Sequence, residues 1–200
     1  CKRRDILRLT REEYERWAPE VEKGFLWAAT FLTGEMIFES RDVPYRTQLV
    51  PLAAINVALG SGAEAIGKVE KIRRWYWCGV LGELYGGAIE TRFANDLQQV
   101  VEWCGGATAE PITVYESSFD PGRLLTLRTR NSAAYKGMYA LLMKGGSRDW
   151  LYDQDITSEV FLDNLKTATP WVVKVVGVEL LRDQVEHGLQ EHMLHICTHY

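Results

Sequence analysis

Three glycine pairs, Gly86–Gly87, Gly105–Gly106 and Gly145–Gly146, constrain this chain more than any other feature. Each follows a stretch in which apolar residues recur every three or four positions, the period of an amphipathic helix. A glycine just past such a stretch adopts the left-handed conformation that closes a helix without a Cβ penalty. Strands alternate with period two, and these stretches do not. A chain punctuated in this way folds as a succession of helices.

The first helix is expected from Thr10. Glu13 stands three residues on, which makes a capping box, with Leu9 and Tyr14 as its apolar staple. Tyr14, Trp17, Val21, Phe25, Ala28 and Leu32 mark one face. Pro19 and Gly24 weaken the interior, so a kink or break is expected near Pro19, and an end at Gly34. SRDVPY reads as a linker. A second helix is expected over 46–59, with Leu49, Leu52, Ala53 and Asn56 near one face; Pro51 either sits in its first turn or bends it. A third, over 66–84, sets Val69, Ile72, Tyr76 and Val80 opposite Lys68, Lys71, Arg73 and Arg74. A fourth, over 89–104, has the cleanest stripe: Ile89, Phe93, Leu97, Val101 and Cys104, with Arg92, Asp96, Gln99 and Glu102 mainly outside it. PITVY is too short to found a sheet, and RLLTLRTRN reads as helix or extended chain. A fifth helix falls between Ser132 and Leu142 and carries Tyr135, Met138, Tyr139 and Leu142.

Beyond Trp150 the texture changes. The β-branched density of WVVKVVG favours a small β element over 171–177. A helical pattern then runs through Leu181, Val185, Leu189, Met193 and Ile196. The expected class is mainly α, a multi-helical array with that small β element near 171–177. The expected organisation is a helical region over 1–150 and a divergent C-terminal tail over 151–200.

Hydrophobic residues make up 46% of the chain, and Trp 7, Tyr 9 and Phe 6 suffice for a substantial core. A formal charge of -4 excludes a wholly basic surface and leaves room for local basic patches. No apolar stretch reaches the roughly 18 residues of a membrane span. The opening CKRRDILRLTREEYERW has neither Met nor the apolar segment of a secretory signal, so missing upstream sequence is expected. None of the four cysteines forms a CxxC pair. Cys78 and Cys104 sit in apolar helical patterns and read as reduced, buried thiols of a cytoplasmic protein.

The histidines are the most tempting chemical feature. His187, His192, His195 and His199 all lie in the last fourteen residues. His192, His195 and His199, three and four apart, share a helix face and are the candidate metal ligands. The string EHMLHICTH is not the HExxH of metalloproteases, and a solvated helix face accounts for it as well. A second feature is basic: Lys2, Arg3, Arg4 and Arg8; Lys68, Lys71, Arg73 and Arg74; Arg123, Arg128, Arg130 and Lys136. Such donors suit phosphate, but interspersed acids make an ordinary helix surface the competing reading. Neither GxGxxG nor GxxxxGK[ST] occurs, and there is no GxSxG elbow.

Two strings, KIRRWYWCGVLGELYGGAIETRFANDLQQVVEW and RLLTLRTRNSAAYKGMYALLMKGGSRDW, together with YRTQLVPLAAI, resemble the helical region of the "domain of unknown function 262" proteins. Those are similar to GmrSD-type, modification-dependent restriction endonucleases of defence type. The resemblance covers about residues 1–156. It implies a parent with an N-terminal nucleotide-handling domain carrying a DGQQR-like motif, this helical region, and a His-Asn-His nuclease that cuts DNA with a divalent metal. Neither the DGQQR-like string nor a paired histidine is present here, and the tail departs from the family after DQDI. A degenerate nuclease, a replaced tail and a chain joined across missing residues all remain open for 151–200.

On this resemblance the fragment is a catalytically incomplete scaffold with no cofactor of its own. The parent would use a nucleotide and a divalent metal and act on DNA, without a membrane. Contacts to flanking nucleotide-handling and nuclease domains are implied. Arg74, Trp75, Tyr76, Trp77, Glu83, Tyr85, Glu90, Arg92 and Asp96 align with the family pattern, and so do Arg130, Asn131, Tyr135, Lys136, Asp149 and Trp150. Arg92 and Asp96, four apart, are expected to pair along their helix. Arg74, Arg130, Asn131 and Lys136 are the DNA-facing candidates, with capping and intrahelical pairing as the competing reading. Two alternatives stand beside the scaffold: a freestanding helical nucleic-acid-binding or protein-interaction module, and a metal-dependent hydrolase using the C-terminal histidines.

Overall fold

The computed structural model describes residues 8–87, 89–127, 129 and 131–146. Their order is α1 (Arg11–Gly34), a 3-10 turn (Arg46–Gln48) leading into α2 (Leu49–Leu59), a second 3-10 turn (Gly60–Glu64), α3 (Ile66–Leu81), α4 (Glu90–Cys104), α5 (Ile112–Glu116), α6 (Gly122–Thr126) and α7 (Ala133–Lys144). No strand occurs among the described residues, and the fold is mainly α and multi-helical. The β element expected near 171–177 and the tail over 151–200 lie outside the described residues.

Helix α1 begins as its capping box dictates. The Thr10 amide donates to Glu13 Oε2 at 2.9 Å, and the Glu13 amide donates back to Thr10 Oγ1 at 3.2 Å. The break expected at Pro19 does not occur, and the helix runs through it. It ends at Gly34, as expected, but glycine does not supply the left-handed residue that follows. Met36, at φ 62, takes the left-handed position; its amide donates to Thr33 O at 3.0 Å, and that of Ile37 to Leu32 O at 2.9 Å. These two bonds make a Schellman cap without glycine.

The glycine pairs behave unequally. Gly106, at φ 110, closes α4 with its amide on Trp103 O and the Ala107 amide on Glu102 O. Gly146, at φ 92, closes α7 through Met143 O. The first pair does not close α3, which stops three residues before the expected Leu84. Glu83, at φ 52, supplies the left-handed residue, and the Leu84 amide reaches Gly79 O. Pro51 falls in the first turn of α2, where its missing N–H costs no helical bond.

The described residues group into two compact units: Tyr45–Ser117 with the chain up to Thr30, and Phe31–Pro44 with the chain from Ser118. In the first, α4 packs on α2 and α3, and α5 packs on α3 and α4. Leu52, Ile55, Ile72, Trp75, Tyr76 and Val80 form its fully buried centre. The C-terminal half of α3 is buried on every side, so its apolar residues cluster rather than stripe. In the second, Ile37 and Val43 are buried, as are Met138, Leu141 and Met143 of α7. Ser132 caps α7 by accepting from the Tyr135 amide at 3.2 Å. Glu35, buried after α1, forms an ion pair with Lys144 at the end of α7.

Two faces differ from the expected stripes. In α4 the buried residues are Asp96, Val100, Trp103 and Cys104, while Phe93, Leu97 and Val101 are half-buried. The helix is rotated so that Asp96, expected outside, faces inward, because a polar partner awaits it there. In α7 Ala133, Ala134, Gly137, Ala140 and Leu141 are buried, and Tyr135, Tyr139 and Leu142 only half so. Small residues give the close approach there, and burial pushes the Tyr139 phenol up to about 12.

Candidate functional site

The polar centre of the first unit is built where the turn after α3 meets α4. The Schellman cap at Glu83 throws Tyr85 back over α3. Its ring meets Trp75 edge-on at 6.3 Å and stacks on Phe93 at 6.0 Å. Gly79 makes room: a Cβ there would lie 3.0 Å from the Tyr85 ring and 2.5 Å from Gln48 Nε2. Gln48, wholly buried, donates to the Tyr76 carbonyl at 3.0 Å and so ties the entry of α2 to α3.

The Tyr85 hydroxyl donates to Asp96 Oδ2. Asp96 is 0% exposed and Tyr85 2%. Burial pushes the Asp96 carboxyl above its ordinary value of 3.8, against the lowering effects of Tyr85, Thr113, Trp75 and Arg92. Burial and the adjacent carboxylate push the Tyr85 phenol upward as well. Trp75 Nε1 and Asp96 Oδ1 make no fully directed hydrogen bond, yet the indole faces the carboxyl closely enough to favour its charge.

Arg92 does not pair with Asp96 along α4 as expected. Its Nη1 donates to Thr113 Oγ1 at 2.9 Å and its Nη2 to Glu116 Oε2 at 2.9 Å, both on α5. The physical reason is the rotation of α4: Asp96 points into the core, where a Tyr hydroxyl satisfies it, while the longer Arg92 reaches outward. Arg92 lowers the Asp96 pKa through space without forming an ion pair with it.

Among the DNA-facing candidates, Arg74 is engaged. It clasps Glu110 with both terminal nitrogens, at 2.6 and 3.2 Å, and lies 5.8 Å over the Trp103 ring. Lys71, of the same basic run, donates to Trp103 O at 2.6 Å and neutralises the carbonyl end of α4. Asn131 is exposed just before α7. Lys136 is half-buried on α7, near enough to Asp42 to lower its carboxyl pKa; burial, the larger effect, raises it. Arg130 and the metal candidates His192, His195 and His199 lie outside the described residues. Among the described residues no three His, Cys, Asp or Glu side chains stand together as a metal site would need. Cys78 and Cys104 are buried free thiols, both pushed up by burial.

No family model matches the chain. No solved structure matches it either. An uncharacterized protein of Methanocaldococcus jannaschii is similar: 24% identical over 137 residues, which is 62% of this chain and 24% of that protein. The chain thus spans about a quarter of the relative's length. No helix among the described residues is long and apolar enough to cross a membrane.

The Tyr85–Asp96 centre was not visible in spacing. Glu110, Thr113 and Glu116 lie in a loop and a single turn without periodicity, so no pattern announces them as partners of Arg74 and Arg92. The chemistry available here is that of a pin. A buried carboxyl, two clasped guanidiniums and a capping lysine join α3, α4 and α5 into one body.

Proposed function

We propose that this chain is the helical scaffold region of a DNA-targeting, defence-type restriction endonuclease resembling the domain-of-unknown-function-262 proteins. One observation carries the reading. Of the residues that align with that family, Trp75, Tyr76, Trp77, Tyr85, Arg92 and Asp96 are all packing or pinning residues of one interhelical centre. Side chains buried against one another serve shape, and a scaffold is what needs a fixed shape. The length of the relative, about four times the matched stretch, supports a part that works within a longer chain.

In this reading the parent is a cytoplasmic enzyme that uses a nucleotide and a divalent metal, both held outside this region. The scaffold holds the nucleotide-handling part and the DNA-cutting part in register. DNA contact within the scaffold falls to Arg130, Asn131 and Lys136, since Arg74 is occupied by Glu110. The experiment is a cleavage assay with the intact parent on plasmid DNA with and without modified bases, with Mg²⁺ and nucleoside triphosphates. Cleavage by the parent and none by the 200-residue chain is the expected result. Cleavage by the isolated chain, or an intact parent inert on every substrate, overturns the proposal.

A further inference from the structure

The N-terminal half of α1 carries an apolar row that stays exposed among the described residues. Tyr14 is 61% exposed, Trp17 46%, Val21 42% and Phe25 42%. Their spacing of three and four sets them on one face, over about 16 Å of helix. The same face is buried one turn further on. Gly24 lies so close to α2 that a Cβ would meet Ala53 O and Val57 at 2.8 Å. The row therefore continues an established helix–helix contact beyond the crossing at Gly24. It presents on the order of several hundred Å² of apolar surface, the size at which a patch marks an interaction site.

The borders of the row say what fits it. Glu13 and Glu20, seven apart, run along one side, and Glu15 and Glu22, seven apart, along the other. Over 11–23 five glutamates stand against three basic residues. Arg11 is held by Glu15 and Lys23 by Glu20, and Arg16 lies over the Trp17 ring. A second copy of the chain, in either direction, would bring glutamate borders against glutamate borders, which is unfavourable. An anionic lipid surface meets the same repulsion. A helix whose apolar stripe is bordered by Lys and Arg meets neither.

We propose that the Tyr14–Phe25 face of α1 docks a cationic amphipathic helix. Trp17 is its anchor, since a half-exposed tryptophan at the middle of an apolar row is the side chain with most area to lose on docking. The glutamate borders set the register and reject acidic partners.

The test uses the 200-residue chain and two labelled synthetic amphipathic helical peptides, identical except that the residues bordering their apolar stripe are Lys in one and Glu in the other. Fluorescence anisotropy is expected to show the Lys peptide binding at least about tenfold tighter, with the preference shrinking as salt rises. Trp17→Ser is expected to weaken that peptide at least about tenfold while circular dichroism stays unchanged. Glu20→Lys with Glu22→Lys, which leaves the Thr10–Glu13 cap intact, is expected to move the preference toward the Glu peptide, and it serves as the independent variant if Trp17→Ser misfolds. Equal affinity for the two peptides, or no binding of the Lys peptide, overturns the proposal. So does self-association in sedimentation velocity that Trp17→Ser abolishes, or binding of the chain to vesicles of zwitterionic lipid.

Discussion

Replacing Tyr85 by Phe removes one oxygen from the polar centre and nothing else. The ring keeps its edge contact with Trp75 and its stacking on Phe93, so no cavity opens. The Asp96 carboxyl, wholly buried, loses the hydroxyl that donates to Oδ2. A buried acceptor left without its donor costs roughly 1–3 kcal/mol, and more when charged, so a loss of about 3 kcal/mol at neutral pH is expected. The pH dependence has a definite sign. Burial holds the folded carboxyl above its ordinary value of 3.8, so its contribution to stability is full below that pH and declines as pH climbs through the folded value. The Tyr85 hydroxyl lowers that folded value. Removing it raises the value further and steepens the decline, so the variant's deficit is larger at pH 7 than near pH 4. Urea unfolding of both proteins at the two pH values, followed by tryptophan fluorescence, measures it. A variant within about 0.5 kcal/mol of the parent at pH 7, the range of an ordinary surface change, would refute the reasoning. So would a deficit that does not change with pH.

Gly79→Ala places a methyl 2.5 Å from Gln48 Nε2 and 3.0 Å from the Tyr85 ring, so overpacking of about 1–3 kcal/mol is expected in thermal unfolding. Glu83→Gly relieves a left-handed residue at φ 52 and is expected to raise stability by up to about 1 kcal/mol, read as a higher melting temperature. Thr10→Ala removes half of the capping box and is expected to cost about 1 kcal/mol, with loss of helical ellipticity.

The five long helices, their order and most of their starts were legible in the sequence because periodicity, caps and breakers report local geometry; the five-residue helices α5 and α6 are too short to show a period. Thr10 and Ser132 cap where their side-chain chemistry says they should. Gly106 and Gly146 stop helices as glycine pairs predict. Where the left-handed residue past a helix is not glycine, at Met36 and Glu83, propensity is overridden by the packing of the chain that follows, and no local signal exists. The inward face of α4 was misread for a related reason. A stripe built from Phe93, Leu97 and Val101 has greater apolarity, yet Asp96 is buried because Tyr85, eleven residues earlier, satisfies it. Such pairs join separate elements, and spacing within one helix does not disclose them. The N-terminal half of α1 shows the converse. Its apolar row was legible, and Tyr14, Trp17, Val21 and Phe25 of that row are exposed while Ala28 is buried. Periodicity identifies a face; it does not say whether the cover belongs to the same chain.

The most direct measurement of the scaffold account is the intact mass of the natural protein together with its complete coding sequence. The account predicts a longer chain in which this helical region lies between a nucleotide-handling motif of the DGQQR kind and a paired-histidine nuclease motif. A natural protein consisting of these 200 residues alone, or flanks carrying neither motif, would contradict it.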